Sequence, residues 1–77
     1  MVRAKLFARF RELLGDELVF EEGITVKELR SRIEELLRAK GEQHDFILIA
    51  VNGMYAPDDR VISSGDEVAV FPPVSGG

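Results

Sequence analysis

The chain has no cysteine and no tryptophan, and only one each of histidine, asparagine, glutamine and tyrosine among its 77 residues. Without cysteine there is no disulfide, no zinc–thiolate site and no thiol nucleophile. With His44 as the only imidazole, a multi-histidine metal site is excluded and a Ser/His/Asp triad would rest on that one ring. The longest unbroken apolar run is residues 46–51, far short of the roughly 18 residues that suggest a membrane span. The first residues lack the apolar core of a signal peptide, so a cytoplasmic protein without a membrane partner is expected.

What is present is one small domain. A chain of this size buries only about 60% of its unfolded surface, leaving little material for a deep pocket of its own. The composition is 45% apolar and 31% charged, which suits a folded domain rather than a disordered tail. The net charge of −4 is uneven. Arg3, Lys5, Arg9 and Arg11 fall in residues 1–11 with no acid, so the remaining six basic groups face all fourteen acidic ones, a balance of −8. That acidic bulk argues against a nucleic-acid partner. The basic edge would meet an acidic partner or pair with the chain's own carboxylates; self-pairing is the expected outcome.

Residues 2–9 alternate, with Val2, Ala4, Leu6 and Ala8 on one face and Arg3, Lys5, Phe7 and Arg9 on the other, the period of a half-buried strand. Residues 10–14 before Gly15 read as a turn of helix, and residues 17–21 as a returning strand. Thr25 and Glu28 have the spacing of a capping box. Behind them Val26, Leu29, Ile33, Leu36 and Leu37 occupy an arc of about 100°, the stripe of a core-facing helix. Glu28/Arg32 and Glu34/Arg38 are spaced for i,i+4 pairs, and Gly41 suits the position after the helix. Residues 46–51 read as a buried strand ending in the hairpin turn Asn52–Gly53, with Met54 to Ala56 as a short return. Residues 67–71 alternate again, with Val68 and Val70 inward and Ala69 and Phe71 outward. Pro72 and Pro73 stop the ladder.

This order predicts an α+β, β-grasp (ubiquitin-like) fold, a mixed sheet of about four to five strands covered by one main helix. The domain spans residues 1–71 and residues 72–77 form an extended tail ending in Gly-Gly. Neighbouring acids at 21–22, 34–35 and 58–59 point apart in helix or strand. His44 reads as an exposed loop residue without a partner. No glycine-rich phosphate loop and no activated serine is present, so no internal active site is expected.

The tail is the exception. A frayed end would also suit glycine, but a disposable end needs no stiffening by Pro72 and Pro73. At about 3.3 Å per residue, Pro72, Pro73, Val74, Ser75, Gly76 and Gly77 reach roughly 20 Å from the sheet. Gly76 and Gly77 lack Cβ atoms, so the tip can thread a narrow tunnel. A carboxylate is a poor electrophile until it is coupled to AMP, and this chain has no nucleotide site, so another protein would supply the activation.

Residues 65–77, Gly-Asp-Glu-Val-Ala-Val-Phe-Pro-Pro-Val-Ser-Gly-Gly, resemble the C-terminal signature of the molybdopterin synthase small-subunit family. Residues 6–13 resemble that family's opening strand and turn. The resemblance covers the whole chain and implies a ubiquitin-like sulfur carrier for molybdenum or tungsten cofactor biosynthesis. It implies a non-catalytic subunit that binds no cofactor and supplies sulfur as a co-substrate. A ubiquitin-activating-like adenylyltransferase would adenylate Gly77 with ATP, and the carboxylate would become a thiocarboxylate. Docked in the large subunit of a heterotetramer, it would deliver sulfur to precursor Z. The resemblance places Phe71 at the partner interface, and Phe7 shares its outward parity. Two other readings of the same tail are a sulfur carrier for another product, such as thiamin thiazole, and a modifier joined to lysines through Gly77. A plain binding module with an irrelevant tail is the third.

Overall fold

The opening alternation forms a strand, β1 (Val2–Leu6), with Val2, Ala4 and Leu6 buried and Arg3 and Lys5 exposed. The structure, a computed structural model, describes residues 1–44 and 46–73. After β1 come α1 (Ala8–Leu14), β2 (Glu17–Phe20), α2 (Val26–Ala39), β3 (Leu48–Val51), β4 (Met54–Tyr55) and β5 (Val68–Phe71). The strands form one sheet in the order β2-β1-β5-β3-β4. β1 and β5 are parallel neighbours at its centre, while the β1–β2, β3–β5 and β3–β4 pairs are antiparallel. The last strand lies beside the first, as a β-grasp requires.

The capping box closes as expected. The Glu28 N–H donates to Thr25 Oγ1 at 3.2 Å, and the Thr25 N–H donates back to Glu28 Oε1 at 3.0 Å. At the far end Gly41 has a φ of +78°. Its N–H donates to the Arg38 carbonyl and that of Glu42 to the Leu37 carbonyl, both at 3.0 Å, the paired bonds of a Schellman motif. Between these caps Val26, Leu29, Ile33 and Leu37 join the inward residues of the strands in a single core.

Four expectations need correction. Leu36 is 40% exposed, because it lies at the edge of the apolar arc rather than within it. Residues 46–51 are not buried on both faces. Ile47, Ile49 and Val51 are buried, but Phe46 is 67% exposed and Leu48 and Ala50 are half-buried, since the helix covers only one face of the sheet. Ala8 and Arg9 do not continue β1; the chain turns at Ala8, with φ +55°, into a seven-residue helix that buries Phe10. Arg32 pairs with Glu21 at 2.9 Å, not with Glu28, whose carboxylate is engaged in the cap.

The loop before β5 is tied to the β3–β4 hairpin. Asn52 and Gly53 have φ of +53° and +81°, the type I′ geometry. Asn52 Nδ2 donates to Asp66 Oδ1 at 2.9 Å, and Asn52 Oδ1 accepts from the Glu67 N–H at 2.9 Å. Asp66 Oδ2 in turn accepts from the Ser63 N–H. These bonds fix where β5 starts.

Candidate functional site: the open sheet face and the tail exit

The sheet's second face is uncovered by α2, and it collects the outward residues of four strands. β5 contributes Ala69 and Phe71, β3 contributes Leu48 and Ala50, and register sets Leu48 opposite Phe71 and Ala50 opposite Ala69. On the other side of β5, Leu6 pairs with Val70, so the next residue, Phe7, comes beside Phe71. The Phe7 N–H donates to the Val70 carbonyl at 3.1 Å, and the Phe7 carbonyl accepts from Arg11. Phe7 is thereby pinned between β5 and α1.

Phe7 and Phe71 meet edge to face with centroids 6.3 Å apart. Both residues expected at an interface therefore lie in one patch. Phe7 stays 44% exposed and Phe71 half-buried. A third ring was missed in the sequence: Tyr55 of β4 lies 6.1 Å from Phe71. Its place follows from register, since Tyr55 pairs with the outward Ala50, but reading residues 46–51 as buried on both faces concealed that. Beside the rings runs a groove of about 550 Å³, between Arg3, Lys5 and Glu17 on one wall and residues 64–67 on the other, with Ala50 and Ala69 between.

β5 ends at Phe71 because Pro72 has no N–H to continue either ladder. Pro72 is half-buried and Pro73 exposed, so the tail leaves from a central strand next to the aromatic patch. Val74, Ser75, Gly76 and Gly77 lie outside the described residues.

The basic groups near the start of the chain are largely engaged by its own acids. Arg11 Nε donates to Asp16 at 2.7 Å, and Arg9 Nη2 to Glu42 at 3.1 Å. Arg9 Nη1 also donates to Glu12 at 3.3 Å; the bonds to Glu42 and Glu12 raise the Arg9 pKa, and Arg9, followed by His44, lowers that of Glu42. His44 is not the isolated loop residue expected. Its Nε2 lies 3.1 Å from Glu42 Oε1, and its ring stands edge to face on Phe10 at 5.0 Å. The sequence contains no signal for this, because the contact joins a loop to a helix more than thirty positions earlier. Among the described residues no three His, Asp or Glu side chains are close enough to share a metal ion. Among the described residues no helix is long and apolar enough to cross a membrane.

Comparison with known proteins agrees with this geometry. The model of the ThiS family matches residues 4–77. The molybdopterin synthase sulfur carrier subunit of Escherichia coli is 36% identical, and that of Haemophilus influenzae 33%, each match covering all of both chains. A putative molybdopterin converting factor subunit 1 from Pyrococcus furiosus has a TM-score of 0.71 at 38% identity, covering 95% of this chain and 97% of that one. Small archaeal modifier protein 1 from Haloferax volcanii has a TM-score of 0.68 at 31% identity, covering 99% and 98%. With a family match that runs from the first strand through Gly77 and relatives that align end to end, this chain belongs to the ThiS family.

Proposed function

We propose that this protein is the sulfur carrier of a molybdopterin synthase and that Gly77 carries the sulfur. The observation that carries this reading is the end-to-end match to two molybdopterin synthase sulfur carrier subunits. The order of the parts supports it. An aromatic patch suited to docking lies beside the strand end from which Pro72, Pro73, Val74, Ser75 and Gly76 lead to Gly77.

The chemistry divides between this chain and its partners. An adenylyltransferase of the ubiquitin-activating type binds ATP, and a Gly77 carboxylate oxygen attacks the α-phosphorus. Pyrophosphate leaves and a mixed anhydride forms. Hydrosulfide then adds to the carbonyl carbon and AMP departs, leaving a thiocarboxylate. The carrier next docks through Phe71 and Phe7 on the large subunit of a heterotetramer, where the tail delivers its sulfur to precursor Z. Exposed aromatic residues at a patch centre are frequent anchors of such interfaces. The domain acts as a handle, and the terminus as the reagent.

The test is an intact mass of the protein after incubation with ATP, an activating enzyme and a sulfur source. One oxygen replaced by sulfur, located to Gly77 by fragmentation, is the expected result. A mass that never changes under those conditions would refute the assignment. A second reading is favoured by the likeness to small archaeal modifier protein 1: the same activated Gly77 would be joined to lysine amines. Lysine-linked adducts of this chain in cell extract would support that use.

A further inference from the structure

Phe71 is the last residue of β5, and the sheet holds it from one side only. On the β1 side the ladder reaches Val70, where the Phe7 N–H makes the final bond. On the β3 side it ends at the Leu48–Phe71 pair. Pro72 then supplies no donor to either neighbour. The residue from which the tail starts would therefore be the least restrained of its strand, were backbone pairing its only support.

Side chains provide the rest. The Phe71 ring sits between two others, Phe7 at 6.3 Å and Tyr55 at 6.1 Å. Phe7 comes from the neighbouring β1 side, but Tyr55 belongs to β4, and β3 lies between β4 and β5. Neighbouring strands are about 4.8 Å apart, so Tyr55 must lean across β3 to reach Phe71. Its register partner on β3 is Ala50 and that of Phe71 is Leu48, so directly opposite Tyr55 that strand presents only a methyl group. Tyr55 is itself 67% exposed, so burial of the Tyr55 ring in the core does not account for its position.

We infer that Tyr55 is a positioning residue: with Phe7 it clamps Phe71, and so sets the direction in which the Pro72–Pro73 segment presents Gly77 to a partner's active site. This rests on the sulfur-carrier reading for its purpose but not for its geometry. A tail aimed by its root arrives at a reaction centre with less orientation left to lose. Misplacement by about 1 Å at a reacting group can cost up to about 100-fold in rate.

Four proteins test the clamp: wild type, Tyr55→Phe, Tyr55→Ala and Ala50→Val. The last leaves all three rings intact and enlarges the β3 residue paired with Tyr55. Two readouts are taken on each. One is ATP–pyrophosphate exchange with the activating enzyme, resolved into kcat and KM for the carrier. The other is ¹⁵N relaxation at the Phe71 amide and at the first amide beyond the two prolines. Tyr55→Ala and Ala50→Val should lower kcat by roughly tenfold, with KM within twofold of wild type, and should increase motion at both amides. Tyr55→Phe should match wild type in both. A Tyr55→Ala protein with raised KM, unchanged kcat and unchanged relaxation would make Tyr55 a contact residue and overturn the inference. Relaxation that is the same in all four proteins would overturn it as well. If wild type supports no exchange at all, the sulfur-carrier reading fails, and the relaxation data still decide the clamp.

Discussion

Phe7 and Phe71 come from opposite ends of the chain and meet edge to face, their ring planes at 78° and their centroids 6.3 Å apart. The parallel pairing of β1 with β5 produces this contact, and the tail begins one residue later.

Phe71→Ala should weaken binding to the large synthase subunit by about 1–3 kcal/mol, the effect of an interface anchor. The domain itself should stay folded, because Phe71 faces away from the core formed with α2. Calorimetric titration of the subunit checks this, and unchanged affinity would remove Phe71 from the docking surface.

Deleting Gly76 and Gly77 should abolish sulfur transfer and leave the unfolding midpoint where it is. Those two residues follow the last strand and its two prolines. A truncated carrier that still supports pterin synthesis would contradict the role given to Gly77.

Phe10→Ala should destabilise the domain most among single changes in α1. Phe10 is fully buried and meets the His44 ring edge to face. Truncating such a ring costs about 3–5 kcal/mol. A domain of this length has roughly 4–11 kcal/mol in total, so urea titration should show a largely unfolded or barely stable protein.

The cap of α2 gives a smaller effect. Thr25→Ala removes the acceptor for the Glu28 N–H and should cost about 1 kcal/mol. That corresponds to roughly 4–8 °C in melting temperature. Glu28→Gln should cost less, since glutamine can also reach back to the cap.

Stability should fall on acidification, and the direction follows from four carboxylates. Backbone donation from Ser63 and the Asn52 side chain hold Asp66 below its ordinary pKa, and Ser64 does the same for Glu22. Glu42 is lowered by Arg9 and His44, and Glu21 by its own backbone N–H and Arg32. A depressed pKa contributes stability that is present above the ordinary carboxylate range, about 4, and lost as pH falls through the folded-state values. Melting temperatures should hold from pH 7 to about 5 and decline below about 4. A rise in that lower window would show that these contacts do not favour the ionised forms.

The elements whose signals are local were legible in the sequence. Thr25 and Glu28 cap one another three residues apart, Gly41 closes the same helix, and Asn52–Gly53 turns between adjacent strands. Each of these depends on backbone geometry within a few residues, so the sequence was sufficient to place them. The alternation of β1 and β5 likewise showed which residues face inward, because a strand's period of two needs no knowledge of its partner.

Facing and partnership needed the folded chain. A run of six apolar residues has no polar positions to mark its outer face, so the outward turn of Phe46, Leu48 and Ala50 was hidden until α2 took one side only. Arg32 prefers Glu21 because the cap already holds Glu28, and His44 leans on Phe10 because the end of α2 returns to α1. The sequence by itself determined the order of elements, the caps and turns, and the Pro-Pro approach to a Gly-Gly end. Only the tertiary structure decided that Phe7, Phe71 and Tyr55 form one patch at the root of the tail. Tyr55 and Phe71 end β4 and β5 while Phe7 follows the end of β1, and strand pairing between distant segments is set by burial of the whole sheet rather than by any local pattern.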